Sequence, residues 1–152
     1  MDDTSRYPAL SPLARQAGFL GVLPFVAALA GVLSGSTELR LLGERLALGW
    51  GAAILAFVAA VHWGLALAGR WRWSLGVVIS STLPSLIGAL AVVLGGSRGT
   101  ALLLVGFGFF WLHEHRRHGE ELPPDYLQLR RVLSLTVCIL LALITIGLGE
   151  SS

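Results

Sequence analysis

The chain has 152 residues; 55% are hydrophobic, only 13% are charged, and the net charge is +2. Soluble domains carry about a quarter charged residues and would aggregate with this much apolar surface, so an ordinary water-soluble protein is excluded. The charge is too small and too dispersed for a nucleic-acid partner, which leaves membrane lipids as the expected surroundings.

The length suits one transmembrane domain, 1–152, and the mean hydropathy is +0.75. A helix crossing hydrocarbon takes about 20 apolar residues. Five stretches approach that length: 16–33, 46–69, 74–94, 100–115 and 128–148. The first contains Pro24, which should kink it, and Ser34-Gly35-Ser36 ends it. Ala28-Leu29-Ala30 resembles a signal-cleavage site, but Asp2 and Asp3 upstream and Pro24 within the stretch argue for an uncut span. Thr37 is expected to cap a short amphipathic stretch, 38–45, with Leu39, Leu42 and Leu46 on one side.

The second span ends at Arg70-Trp71-Arg72-Trp73, a turn whose tryptophans suit the headgroup level and whose arginines snorkel to it. The third carries Pro84, a second expected kink. Gly95-Gly96-Ser97-Arg98-Gly99 reads as a flexible hairpin turn and lacks the lysine of a phosphate loop. The fourth apolar run is short and needs Glu114 or His115 at the interface to reach full length. Pro123-Pro124 then breaks the chain, and Asp125 can cap the fifth span. Cys138, the single cysteine, lies in that span and reads as a small packing or lipid-facing residue.

All 11 basic residues are Arg, as in proteins of GC-rich bacteria. Five spans divide them eight to three between the two sides, the larger share falling with the N terminus. The positive-inside rule therefore predicts an all-α, multi-pass protein of a bacterial inner membrane with a cytoplasmic N terminus and a periplasmic C terminus.

Helices in lipid associate where small residues let backbones approach. Ala52, Ala56, Ala60, Gly64 and Ala68 are four apart, as are Gly76, Ser80, Pro84 and Gly88, and Ser134, Cys138 and Ala142. These stripes are expected packing faces. His62 lies eight positions before Arg70, about 12 Å inside the hydrocarbon at about 1.5 Å per residue. At that depth it needs a polar partner, with Ser80, Ser81 or a backbone carbonyl within reach for a structural role. Proton relay, metal ligation and quinone or headgroup contact are its functional alternatives. Trp63 beside it reads as an anchor. His113, His115 and His118 surround Glu114, Arg116 and Arg117, a weak metal signal that departs from the zincin spacing; the segment reads as solvated and juxtamembrane.

Five motifs together resemble the domain of unknown function 3429 family, small inner-membrane proteins that include transmembrane protein sixty-nine of animal mitochondria. Ala59-Ala60-Val61-His62-Trp63-Gly64 is similar to its second-helix Gly-Gly-x-His-Trp-Gly segment. Gly21-Val22-Leu23-Pro24-Phe25 and Ser81-Thr82-Leu83-Pro84-Ser85 resemble its first- and third-helix proline motifs. Pro124-Asp125-Tyr126-Leu127-Gln128-Leu129-Arg130, followed by Leu135-Thr136, resembles the start of its last helix. Two alanines replace the glycines at 59 and 60, and Trp111-Leu112-His113 stands where the family has a more apolar end followed by Asp. The resemblance implies five helices and no established activity. It groups His62, Trp63, Pro84, Tyr126 and Arg130 as candidate binding residues at the cytoplasmic interface.

Three functions compete. The first is a non-enzymatic accessory or assembly subunit packed against a larger respiratory or photosynthetic complex. The second is a binder or carrier of a lipid, quinone or small anion in a pocket around His62 open to the cytoplasmic leaflet; a His62 sealed in packing argues against it. The third is a membrane-embedded enzyme. No cofactor or catalytic set is implied.

Overall fold

In the computed structural model, residues 10–118 and 123–149 are described; Asp2, Asp3 and Arg6 and the side chain of His118 fall outside them. The described residues form α-helices without strands: α1 (Pro12–Leu20), α2 (Leu23–Leu33), α3 (Thr37–Leu67), α4 (Leu75–Leu94), α5 (Gly96–His118) and α6 (Pro124–Gly149). Four segments are long and apolar enough to cross a membrane: Pro12–Leu33, Thr37–Leu67, Leu75–Leu94 and Pro124–Gly149. The protein is therefore a multi-pass membrane protein. α5 is long enough but fails on composition, because Arg98 and the polar run from His113 lie within it.

Pro24 acts as the first-span kink. Lacking an N–H, it cannot bond the carbonyl of residue 20, and the helix breaks at Gly21 and Val22 before restarting. The Trp50 indole donates to the Gly21 carbonyl at 2.9 Å, holding the break against α3. Pro84, in contrast, lies inside an unbroken α4.

The expected separate stretch 38–45 does not exist. Ser36, not Thr37, is the cap, its hydroxyl accepting from the Leu39 N–H, and α3 then runs 31 residues without a breaker. At about 1.5 Å per residue it is about 46 Å long, more than the roughly 30 Å of hydrocarbon. The extra turns close the far end of the bundle. Arg40 donates to the Leu148 carbonyl at 2.8 Å, capping the end of α6. Glu44 accepts from the Gly96 N–H at 2.7 Å, capping the start of α5. The glycine-rich turn is also shorter than expected: Gly95 alone, at φ 63°, joins α4 to α5, and Ser97 to Gly99 are helical.

α3 is the central helix, with α2, α4 and α5 around it. Gly31 and Gly43 bring α2 and α3 into backbone contact; a Cβ on Gly43 would stand 2.5 Å from the Ala28 carbonyl oxygen. Gly88 meets Ala52 the same way, joining α4 to α3. The rest of the expected α3 stripe does not pack: Ala60, Gly64 and Ala68 are exposed, and the buried stripe is Gly51, Leu55, Ala59, His62 and Ala66. Phe25, Leu55, Leu103, Phe107 and Leu141 form the apolar centre, with Phe25 and Phe107 edge to face at 6.4 Å.

Candidate functional site

Four helices meet between one and two turns from their ends in a buried polar chain. His62 comes from near the end of α3, Ser80 from near the start of α4, Glu114 from near the end of α5 and Arg130 from near the start of α6. His62 is 0% exposed, Glu114 1% and Arg130 8%. His62 Nδ1 lies 3.0 Å from Ser80 Oγ. Its Nε2 lies 3.4 Å from Glu114 Oε1, ion-pair distance without hydrogen-bond alignment. Arg130 Nε donates to Glu114 Oε2 at 3.1 Å, and Nη2 of the same guanidinium sits 3.0 Å from that oxygen. The carboxylate thus bridges an imidazole and a guanidinium.

Aromatic rings wall the chain from water. The Phe110 ring lies 5.3 Å from the His62 ring, and Arg130 Cζ is 5.6 Å from the Phe110 centroid. Trp71 covers His62 at 5.1 Å. The turn after α3 places it there: the Arg70 and Trp71 N–H groups both donate to the Leu65 carbonyl, folding the chain back over the helix end. In so dry a setting a charge pair is retained only with good geometry and further hydrogen bonds, and loss of one member leaves the other uncompensated.

The sequence-named residues divide. His62 and Arg130 belong to the chain, linked through Glu114. The structural partner expected for His62 is Ser80; Ser81 instead satisfies itself on the Val77 and Val78 carbonyls. Pro84, buried one turn beyond Ser80, withholds the N–H that the Ser80 carbonyl would otherwise receive. Trp63 points away, 43% exposed and edge to face with Trp73 at 5.0 Å. Tyr126 stands one turn before Arg130, half-buried beside its guanidinium.

The polar segment from His113 onward is only partly solvated. Glu114 turns inward and is among the most buried residues of the chain. His113 stacks on Phe109 and His115 on Trp111, each one turn back along α5, and among the described residues no three metal-ligating side chains gather. Glu114, Phe110 and Trp71 are the site residues that the sequence reading did not assign to the site. For Glu114 a signal was present: Leu103, Phe107, Phe110 and Glu114 recur at helical spacing on one buried face.

Two cavities flank the chain, and His62 lines neither. Among the described residues His62 is fully buried, with the Trp71 ring 5.1 Å and the Phe110 ring 5.3 Å from its own. The smaller cavity, about 270 Å³ between α4 and α5, includes Ser80, Pro84, His113 and Arg117. The larger, about 720 Å³, lies between α1, α3 and α6. Its walls are Ala17, Gly18, Trp50, Ile54, Phe57 and other apolar side chains, and one side carries Tyr126, Arg130 and Ser134. Those three are four apart on α6 and so face the groove together.

Residues 11–146 match the family described as protein of unknown function (DUF3429), and the chain belongs to that family. No curated protein and no solved structure matches it.

Proposed function

We propose that this protein crosses a bacterial inner membrane five times and holds an amphiphile, a lipid or a quinone-like molecule, in the groove between α1, α3 and α6. The fifth crossing is α5. Its start bonds Glu44 and its end meets His62, so it runs parallel to α3 over the same interval, 96 to 114 against 44 to 62. Eighteen residues at about 1.5 Å each cover about 27 Å, close to the hydrocarbon thickness. The charges at its two ends then lie at the interfaces, and Glu114 is hidden from lipid by Arg130. Arg70, Arg72, Arg116, Arg117 and Arg131 cluster at the end that holds the polar chain, and by the positive-inside rule this supports a cytoplasmic N terminus and a periplasmic C terminus.

The observation that carries the reading is the groove itself: about 720 Å³, apolar along its length, with a guanidinium, a phenol and a hydroxyl on one side. Ligand sites have this size and this sparse placement of polar groups. Arg130 is divided between two tasks. Its Nε and Nη2 edge holds Glu114, while the residue also forms groove wall. His62 stands behind it as support for Glu114, so the amphiphile contacts Arg130 and Tyr126 rather than the histidine. The competing reading, a subunit packed on a respiratory or photosynthetic complex, draws on exposed apolar residues such as Leu83, Leu86, Leu90 and Val93 of α4; lipid covers these equally well.

Mass spectrometry of organic extracts from protein purified in mild detergent tests the proposal. A stoichiometric amphiphile is expected with the wild type and is reduced by Tyr126→Phe combined with Ser134→Ala, changes that leave the Arg130–Glu114 pair in place. A preparation that carries no amphiphile and binds none when it is added would end this reading.

A further inference from the structure

We propose that the narrow cavity between α4 and α5 is a second site, which takes one acyl chain of an anionic phospholipid of the cytoplasmic leaflet while Arg117 holds that lipid's phosphate. The site depends on α5 crossing beside α4 and needs no occupant in the groove of α1, α3 and α6. Two close approaches fix its ends. A Cβ on Gly76 would lie 3.5 Å from Arg117 Nη1, and a Cβ on Gly106 would lie 2.9 Å from Ile87 Cγ2. All four residues line the cavity. From 76 to 87 on α4 and from 106 to 117 on α5 the span is the same, about 16 Å at about 1.5 Å per residue. A slot of that length therefore runs from the guanidinium down between the two helices. Ser80 and Pro84 on α4 and Phe109 and His113 on α5 line it between those ends. Gly76, Ser80 and Pro84 are small, and their shared face of α4 leaves the space of about 270 Å³ that longer side chains would fill.

The slot opens sideways to lipid, because Ile79, Leu83 and Phe109 line it and are about half exposed. Its polar members are turned to protein along most of its length. The Ser80 hydroxyl meets His62 Nδ1 at 3.0 Å and the Val77 carbonyl at 3.2 Å, and the His113 ring stacks on Phe109. The length of the slot therefore suits methylenes, and its charge stands at the mouth. Arg117 is exposed in the last turn of α5, at the same end as Arg70, Arg72 and Arg116. A guanidinium offers two parallel N–H donors that match phosphate, and basic residues at this level attract anionic headgroups. Gly76 lets the guanidinium lie against the first turn of α4; a side chain there would push it aside. A phosphate on Arg117 thus has its acyl chain directly above the slot. A zwitterionic headgroup brings its own cation toward these arginines, so a headgroup of net negative charge is selected.

The test uses full-length protein in phosphatidylcholine vesicles. In a Cys138→Ser background, Leu83→Cys carries a bimane fluorophore on the slot wall. Leu86→Cys, exposed on α4 and outside the slot, carries it as a control. Phosphatidylglycerol or phosphatidylcholine, each with a nitroxide on one acyl chain, is added in small mole fraction, and quenching gives the relative affinity of the two lipids. At Leu83→Cys the phosphatidylglycerol is expected to bind on the order of fivefold tighter, the effect of one arginine at a membrane surface. Leu86→Cys is expected to show no such preference. Arg117→Gln should abolish the preference at Leu83→Cys and Arg117→Lys keep most of it. Gly76→Leu should abolish it with the charge still present. Arg116→Gln, at an exposed position outside the slot, should keep most of it. Equal quenching of Leu83→Cys by the two lipids overturns the site. The same preference at Leu86→Cys, or its loss in Arg116→Gln as fully as in Arg117→Gln, makes it diffuse surface charge and overturns the site as well. Ile79→Cys is the alternative label position if Leu83→Cys does not assemble. Impermeant-maleimide labelling of Arg98→Cys and Arg116→Cys reports on α5 separately. Absence of the lipid preference while those two positions label from opposite sides counts against the slot alone; labelling from one side removes the crossing and the site with it.

Discussion

Replacing Glu114 by Gln keeps the shape of the side chain and removes its charge, leaving Arg130 buried at 8% exposure without a counterion. The carboxylate is within 3.1 Å of Arg130 Nε, 3.0 Å of Arg130 Nη2 and 3.4 Å of His62 Nε2, so one substitution weakens three contacts. Breaking a buried pair from one side costs about 3–5 kcal/mol, whereas replacing both partners with apolar groups of similar size is often neutral. At roughly 2–4 °C per kcal/mol for a chain near this length, Glu114→Gln should lower the midpoint of heat-induced loss of the monodisperse peak by about 10 °C. Glu114→Met combined with Arg130→Met should recover most of that loss. The assay is heating in detergent followed by size-exclusion chromatography, with wild type, Glu114→Gln, Arg130→Met and the double variant in parallel. The reasoning is refuted if Glu114→Gln melts with the wild type, or if the double variant is no more stable than the worse single one.

Further outcomes follow from the packing and the topology. Gly43→Ala drives a methyl group into the Ala28 carbonyl and the Val32 N–H, and should lose about 1–3 kcal/mol or more by the same thermal assay, since rigid backbone must move. Glu44→Ala removes the cap on the first N–H of α5 and should cost about 1 kcal/mol, with Glu44→Asp recovering part of it. Gly18→Leu meets Leu133 across the α1–α6 contact, where even a Cβ would stand 2.8 Å away, and should open the groove and reduce amphiphile retention while the protein stays monodisperse. In a Cys138→Ser background, Arg98→Cys at one end of α5 should react with a membrane-impermeant maleimide applied from the periplasm, and Arg116→Cys at its other end only after permeabilisation. Equal labelling of the two from one side would remove α5 as a crossing.

Hydropathy is a sum over neighbours in sequence, and the properties that depend only on neighbours were legible in that way. Lipid as the surroundings, the kink at Pro24, the helix end at Ser34-Gly35-Ser36, the turn at Arg70-Trp71-Arg72-Trp73 and the skew of arginine follow from residue type and spacing. So does the need of His62 for a polar partner, because that depth in hydrocarbon demands one whatever the partner is. Where local reading failed, the deciding contact lay elsewhere in the chain. The stretch 38–45 has the composition of a loop helix, yet it is part of α3 because Arg40 and Glu44 find the ends of α6 and α5. Glu114 sits among histidines and arginines that suit solvent, yet it turns inward because His62 and Arg130 stand on the two neighbouring helices. The residues of the polar chain are separated by 18 positions from His62 to Ser80 and by 16 from Glu114 to Arg130. A helical period can say which face of each helix is buried, although at Glu114 the polar neighbours outweighed that signal. It cannot say which side chains on different helices lie at the same depth, because that depends on where each helix begins, how far it is shifted along its neighbours and where glycine lets two backbones touch. The four-residue chain and the groove beside it were decided there, by packing.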